Sequence, residues 1–394
     1  MQTTRAAWIE VNLDKLVSNI NKIKANISDK SFIISVVKYN AYSFGASEVV
    51  RTLLDQGIDF FAVATMTEAL ALRKDFPNIK ILILGHCELE NYKEAIEKDI
   101  RLTIFNLEEA RYLNNLAKNL KKKANIHIAL DTGMGRIGFF CNNDSVLEIE
   151  KINNLENVNI EGVFSHFAVA DTDPEYTKMQ FNNFMKVIKA LEEKNINIKI
   201  KHISNSQAIL HYKEYNLDAV RPGIIQYGSD EGYPSEFEDF KLDFVAELKA
   251  KISHIKTINP GDKISYGLIF TAKEKMKVAT LPIGYADGIL RQLSGKLDIL
   301  VNGKRCKQIG NICMDQMMID VTGVDCKIDD EVVIFGKQGE EYIDIAEIAE
   351  NADEIVTSYI CHLSYRLPRV YIKNNKKYKI IDPVLNIEKE FWWM

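Results

Sequence analysis

The stretch FIISVV (residues 32–37), closed by Lys38, sets the pattern from which the fold is read. Six consecutive apolar or small residues are too few for a core helix. They lack the alternation of a half-exposed strand, and this is how a strand buried on both faces of a parallel sheet reads. Seven further runs resemble it, at 58–65, 79–85, 101–105, 125–131, 159–166, 198–204 and 219–223. Amphipathic, charge-rich stretches such as 13–25 and 108–120 lie between runs and carry a helical period. Eight strand-like runs alternating with helices predict an α/β fold, a (β/α)8 TIM-type barrel. A doubly wound open sheet is the alternative.

The pattern changes after Gly228. Residues 230–239 are polar and acidic around a Gly-Tyr-Pro turn and read as a linker. Beyond them, runs at 245–258, 276–282, 297–301, 317–321 and 331–335 are separated by turn signals such as NPGD (259–262) and NG (302–303). They predict a mostly β domain with hairpins, holding one helix near 344–351. The expected division is a barrel over 12–235 and a β domain over 236–394, which also takes the N-terminal strand within 1–11. The apolar tail FWWM (391–394) is expected to pack on the domain or at a subunit contact.

Composition removes several classes of function. Lysine plus arginine is 50 and aspartate plus glutamate 55, so the net charge of −5 argues against a nucleic-acid binder or a polybasic membrane-surface protein. No apolar run approaches the roughly 20 residues of a membrane span. The six cysteines are scattered, with neither CxxC nor zinc spacing. They read as reduced thiols of a cytoplasmic protein, and no metal site is expected.

In such a barrel, chemistry collects where the strands end. The residues there are Lys38 after the first run, Arg136 after the fifth, His166 ending the sixth, Asn205 and Ser206 after the seventh, and Arg221 with Gly223 and Ile224 after the eighth. A lysine whose pKa is depressed can form a Schiff base with a carbonyl, and backbone N–H groups with a hydroxyl can hold a phosphate. Pyridoxal phosphate needs both, plus a partner for its ring nitrogen. Taken singly, these residues read better as structural, a strand-end lysine as a solvated or ion-paired residue and His166 as a hydrogen-bonded core residue.

VVKYNAY (36–42) resembles the cofactor-lysine motif of alanine racemases, the fold-type III pyridoxal-phosphate enzymes. The similarity continues in family order through RAAWIEVNLD (5–14), DTGMGRIG (131–138), VRPGI (220–224), ISYG (264–267), LPIGYADG (281–288), ICMDQ (312–316) and RLPR (366–369). The resemblance implies a two-base amino-acid racemase making D-alanine for the cell wall. Lys38 would carry the cofactor and act as one base, with Tyr266 as the other, supplied across the boundary of a homodimer. Two bases on opposite faces of one planar carbanion are what racemisation needs. The resemblance also assigns Arg221 to the ring nitrogen, with His166 beside it. Tyr42, Ser206, Gly223, Ile224 and Tyr285 would take the phosphate, and Arg136 and Met314 the substrate. Arginine does not readily give up its proton, so the ring becomes a weaker electron sink and transamination is suppressed.

Three positions depart from the family pattern. Ala129 stands where many relatives have a carbamylated lysine, so Arg136 needs another anion: chloride, Asp131 or the substrate. Thr357 stands where alanine-specific relatives have a gate tyrosine, which predicts a wider pocket accepting serine or larger amino acids, unless Tyr359 restores the phenol. Ser43 and Phe44 replace a common Gly-His pair without an assignable consequence. The competing readings are a serine or broader-specificity racemase, a fold-type III decarboxylase, which Arg221 opposes, and a lone-barrel cofactor carrier, which the β domain opposes.

Overall fold

The computed structural model describes residues 3–235, 240–385 and 387–390. The tail at 391–394 lies outside the described residues. The chain divides into two compact units. One holds residues 17–41 and 46–242. The other holds residues 1–16, 42–45 and 243–394.

The first unit is the α/β barrel. Its parallel strands run in chain order around one sheet: Phe32–Val36, Phe60–Val63, Lys80–Ile83, Ile100–Ile104, Ala124–Asp131, Val158–Phe164 and Ile200–His202, with Ala219–Val220 pairing back onto Phe32–Val36. The remaining seam is joined by two backbone hydrogen bonds, Asp218 N–H to Lys201 O at 3.0 Å and Arg221 N–H to Ser204 O at 2.9 Å. Closure leaves no edge strand among the eight. Helices cover the outside, and several begin on side-chain caps that satisfy otherwise orphaned N–H groups. Thr65 and Glu68 form a capping box, and Asn106, Asn142, Asp173 and Asn205 each accept from a backbone N–H of the first turn.

The second unit is mostly β. Ala7–Asn12 lies between Ala246–Lys251, antiparallel, and Arg369–Lys373, parallel. The expected run 245–258 is in fact two strands. Ala246–Lys251 pairs with Glu331–Gln338, and His254–Ile258 pairs with Met276–Leu281. The break at Ile252 and Ser253 is where the chain changes partner: Ile252 N–H bonds Asp330 O and Ser253 N–H bonds Thr280 O. A second helix, Val356–Cys361, follows Ile345–Asn351. No helix among the described residues is long and apolar enough to cross a membrane.

Candidate active site

Lys38 leaves the first barrel strand one residue after Val37 and is half-buried. Its approach is fixed from below. The Val36 carbonyl accepts from Gln226 Nε2 at 2.7 Å and Tyr227 Oη at 3.2 Å, and Ser35 Oγ donates to Gln226 Oε1 at 2.7 Å. These bonds tie the lysine strand to the short helix Ile224–Tyr227, which Gly223 caps. After the lysine, five consecutive non-glycine residues, Tyr39 to Ser43, adopt left-handed φ angles of 52°, 51°, 53°, 55° and 72°. Glu68 accepts from Tyr39 N–H at 2.6 Å, and Asn40 Oδ1 accepts from Ala46 N–H at 2.8 Å.

Arg221 follows the last strand and is 3% exposed. It donates to three carbonyls, those of His202 at 3.0 Å, Ser165 at 2.6 Å and Ile203 at 3.2 Å, and to the rings of His202 at 2.8 Å and His166 at 3.3 Å. Burial first, and Arg136 second, push its guanidinium down to about 9, so it stays cationic at neutral pH. His166 Nδ1 faces Arg221, and its Nε2 lies 3.4 Å from the Asn205 amide nitrogen. Donors on both edges leave no place for an imidazolium. Burial, then the charges of Arg221, Arg136 and Lys38, hold His166 well below the usual histidine range. Three cations thus act on one neutral imidazole, and no acid is among its strong influences.

Arg136 is exposed on the loop after Ala124–Asp131 and has no hydrogen bond or ion pair among the described residues. Asp131 makes no ion pair with it; its Oδ1 instead accepts from Gly133 and Gly135 N–H, both at 3.0 Å. Ala129 is buried on the same strand. Ser206 Oγ accepts from Gly223 N–H at 2.9 Å, which leaves its own proton free to be donated. An unbalanced cationic mouth with a hydroxyl beside a glycine backbone fits a phosphate-bearing carbonyl cofactor.

The second unit carries the other expected residues. Tyr266 is 70% exposed and sits in a turn where Ser265 and Leu268 have φ of 68° and 51°. Asn311 Nδ2 holds the Tyr266 carbonyl at 2.7 Å. Tyr285 and Met314, 40% and 52% exposed, are on neighbouring loops: Tyr285 N–H bonds Cys313 O and Ala286 N–H bonds Met314 O, both at 3.0 Å. A Cβ at Gly284 would stand 2.2 Å from Cys313 O, so only glycine allows this approach. Tyr42 is buried. Its segment is anchored by Arg369 Nε to Ser43 O at 3.0 Å and Tyr371 Oη to Phe44 O at 3.1 Å. Thr357 is half-buried on Val356–Cys361. Tyr359 is fully buried, two residues and therefore about 200° further round that helix. A local shift cannot bring its phenol to the position of Thr357.

Residues 11–231 match the alanine racemase N-terminal domain, and residues 245–371 match the alanine racemase C-terminal domain. The chain belongs to the alanine racemase family. It is 43% identical over 380 residues to alanine racemase 2 of Caldanaerobacter subterraneus, covering 95% of this chain and 97% of the relative. It is 42% identical over 382 residues to the alanine racemase of Clostridium novyi, covering 95% and 98%. Among solved structures, the alanine racemase of Clostridium difficile superposes with a TM-score of 0.92 at 40% identity, covering 97% of this chain and all of that one. A histidine racemase from Leuconostoc mesenteroides superposes with a TM-score of 0.88 at 28% identity, covering 94% and 99%. As a member of this family the chain is a pyridoxal-phosphate-dependent amino-acid racemase, an isomerase.

Sequence reading overlooked two members of the arginine's surroundings. His202 receives the shortest bond that Arg221 gives to a side chain, and His127 bonds His202 in turn at 2.8 Å. Both lie within predicted strands, His127 in the run 125–131 and His202 in the run 198–204. A histidine inside a predicted buried strand was the available signal.

Proposed function

We propose that this protein interconverts L- and D-alanine by a two-base mechanism that supplies D-alanine for peptidoglycan. The observation that carries the reading is Arg221, a buried guanidinium with no carboxylate among its hydrogen-bond partners, at the barrel mouth that also presents Lys38. Pyridoxal phosphate, when bound, supplies the electron sink that acidifies the substrate Cα–H. Lys38 holds the cofactor and moves the proton on one face. Ser206, Gly223, Ile224, Tyr42 and Tyr285 hold its phosphate. Arg221 donates to the ring nitrogen and keeps its own proton. His166, neutral between two donors, orients Arg221. Arg136 and Met314 receive the substrate, with Arg136 meeting its carboxylate.

Tyr266 supplies the second base to another copy of the chain. Its ring is exposed beside Leu268 and Ile269, at 56% and 63%, and an apolar surface of this kind suits burial against a partner. The working form is therefore a homodimer with shared sites.

The test is α-proton exchange of L-alanine in deuterated water by the purified holoenzyme. Tyr266→Phe should abolish racemisation and retain cofactor binding; unchanged racemisation would remove Tyr266 from the chemistry. The second reading, acceptance of serine or larger amino acids, is favoured by the small Thr357 side chain and by the burial of Tyr359 away from it. A screen of L-amino acids for exchange decides between the two readings.

A further inference from the structure

Arg221 is the first member of a row that crosses the barrel interior, buried at every member but the half-buried Glu161. Its Nη1 donates to His202 Nδ1 at 2.8 Å; His202 Nε2 lies 2.8 Å from His127 Nδ1; and His127 Nε2 lies 3.4 Å from Glu161 Oε2. Arg101 closes the row, with its Nε 2.8 Å from Glu161 Oε2 and its Nη1 2.9 Å from Asp99 Oδ2. Five residues on five different strands or strand ends thus connect the mouth to the opposite end of the barrel.

The chemistry of the two ends fixes everything between them. Arginine can only donate, so His202 Nδ1 must accept and its proton must sit on Nε2. That proton requires His127 Nδ1 to accept, which puts the second imidazole proton on Nε2 as well, facing Glu161. An ionised carboxylate can only accept. An obligate donor at one end and an obligate acceptor at the other are therefore satisfied by one arrangement of protons, with both histidines neutral.

The surroundings of the two imidazoles are aromatic and fitted to the row. Phe164 stacks on His202 at 5.1 Å and 16°, and the Arg221 guanidinium lies 5.4 Å over the same ring. Phe60 meets His127 edge-on at 5.9 Å, with Arg101 also 5.9 Å from its centre. Gly162 is paired with His127 across the strands, beside a register shift, and a Cβ there would stand 2.4 Å from His127 Nδ1. That residue is glycine because the imidazole occupies its side-chain space. In so apolar a setting, charges two hydrogen-bonded rings apart remain coupled.

We propose that Glu161 is the remote counter-charge of Arg221, acting through His202 and His127 in single fixed tautomers, and is thus a positioning residue for the racemase site. The inference rests on the reading that Arg221 faces the cofactor ring nitrogen. The ionisation directions agree with it. Burial pushes His127 and His202 down, and keeps both neutral. Burial would raise Glu161, but the hydrogen bonds it accepts from His127 and Arg101, together with the charge of Arg101, hold it at about 2.

The test begins with the holoenzyme labelled with 15N-histidine. The chain has only seven histidines, so single substitutions assign them. Long-range 1H–15N correlation at neutral pH should find His127 and His202 neutral, with the proton on Nε2. Glu161→Gln should shift the His202 resonances, two hydrogen bonds away. It should also lower kcat on the order of tenfold with KM little changed, the low end of what removing a tautomer-fixing partner costs. Gly162→Ala, which moves no charge, should shift His202 in the same way. Asp99→Asn, which removes the other acid on Arg101, should do neither. An imidazolium, an Nδ1 proton on either ring, an unmoved His202 in Glu161→Gln, or an equal kcat loss in Asp99→Asn would overturn the proposal. If Glu161→Gln fails to fold, the wild-type tautomers decide it. Absence of α-proton exchange with every amino acid would instead overturn the racemase reading, leaving the tautomers to be judged separately.

Discussion

Asp287 is the residue of the second unit whose loss should be felt most. Its side chain is completely buried, yet it accepts from Arg5 at 2.6 and 3.1 Å, from Arg366 Nε at 2.8 Å and from Gly284 N–H at 3.1 Å. Its carbonyl also accepts from Ser364 N–H at 3.1 Å. One carboxylate therefore gathers the N-terminal segment, the Tyr285 loop and the segment carrying Arg366. Through the Arg366–Asp315 contact at 2.7 Å it also reaches the Met314 loop. Asp287→Ala removes the common acceptor of two guanidiniums. Breaking a buried ion pair costs about 3–5 kcal/mol. Both arginines keep roughly 30% exposure and can recover some hydration, so the lower end, about 3 kcal/mol, is expected. For a unit of about 150–250 residues that corresponds to a fall in Tm of about 6–12 °C.

The assay is thermal and urea unfolding of Asp287→Ala beside Asp315→Ala. Asp315 meets the same Arg366 from a site 58% exposed and should cost under about 1 kcal/mol. The pH dependence gives a second check. Burial would raise the Asp287 carboxyl, but hydrogen bonds from Arg5 and Arg366 outweigh it and hold the group below the usual carboxylate value. A depressed carboxylate stabilises the fold above its unfolded pKa, and that contribution is lost as pH falls through the folded one. The gap between wild type and Asp287→Ala should be full above about pH 5 and should close on further acidification. A cost below about 1 kcal/mol, or a gap indifferent to acid, would refute the clasp as an energetic element.

Three further outcomes are expected. Replacing chloride with a bulky, weakly coordinating anion should raise KM about two- to fivefold, the worth of an exposed ion pair at the otherwise unpartnered Arg136; an unchanged KM would discard the halide. Thr357→Tyr should lower kcat/KM for serine relative to alanine about tenfold, on the scale of filling a pocket, as read by α-proton exchange; equal ratios would show that Thr357 does not gate. Gly45→Ala should destabilise by about 2–4 kcal/mol in urea unfolding, because φ is +99° and the new Cβ would lie 1.8 Å from Tyr371 Oη; Tyr371→Phe in the same chain should return part of that loss.

The barrel was legible because each buried parallel strand is a short apolar run followed by a polar residue, and the eight runs fall in chain order around the sheet. The second unit was read less completely. Lys304–Ile309 (KRCKQI) and Lys376–Asp382 (KKYKIID) are lysine-rich, which hides their strand character. The turn between Arg369–Lys373 and Lys376–Asp382 is Asn374 and Asn375, both with positive φ, and this pair is the hairpin signal the sequence carries there. The helix Val356–Cys361 begins in IVT, whose β-branched residues argue locally for a strand, and packing decides otherwise. The residues quoted for the site could be named from their motifs. The row behind Arg221 could not, because its members are 19 to 75 positions apart and meet only once the barrel has closed.

The turn after Lys38 shows why local sequence is weakest where function is densest. Tyr39 to Ser43 contains no glycine, so propensity reads KYNAY as the start of an ordinary right-handed helix. All five residues are instead left-handed, at roughly 1–2 kcal/mol each. Such a segment persists only where its surroundings over-determine it. Here they do: Glu68 and Asn40 fasten the first half within the barrel unit, while Arg369 and Tyr371 fasten the carbonyls of Ser43 and Phe44 within the other. Apart from Asn40, the fastening residues lie 29 to 327 positions from the residues they fasten, and none is recognisable as such from its own neighbourhood. The backbone conformation beside Lys38 is thus a property of the completed fold. Changes at Glu68 or Arg369 should alter the lysine's setting even though neither residue belongs to the mouth.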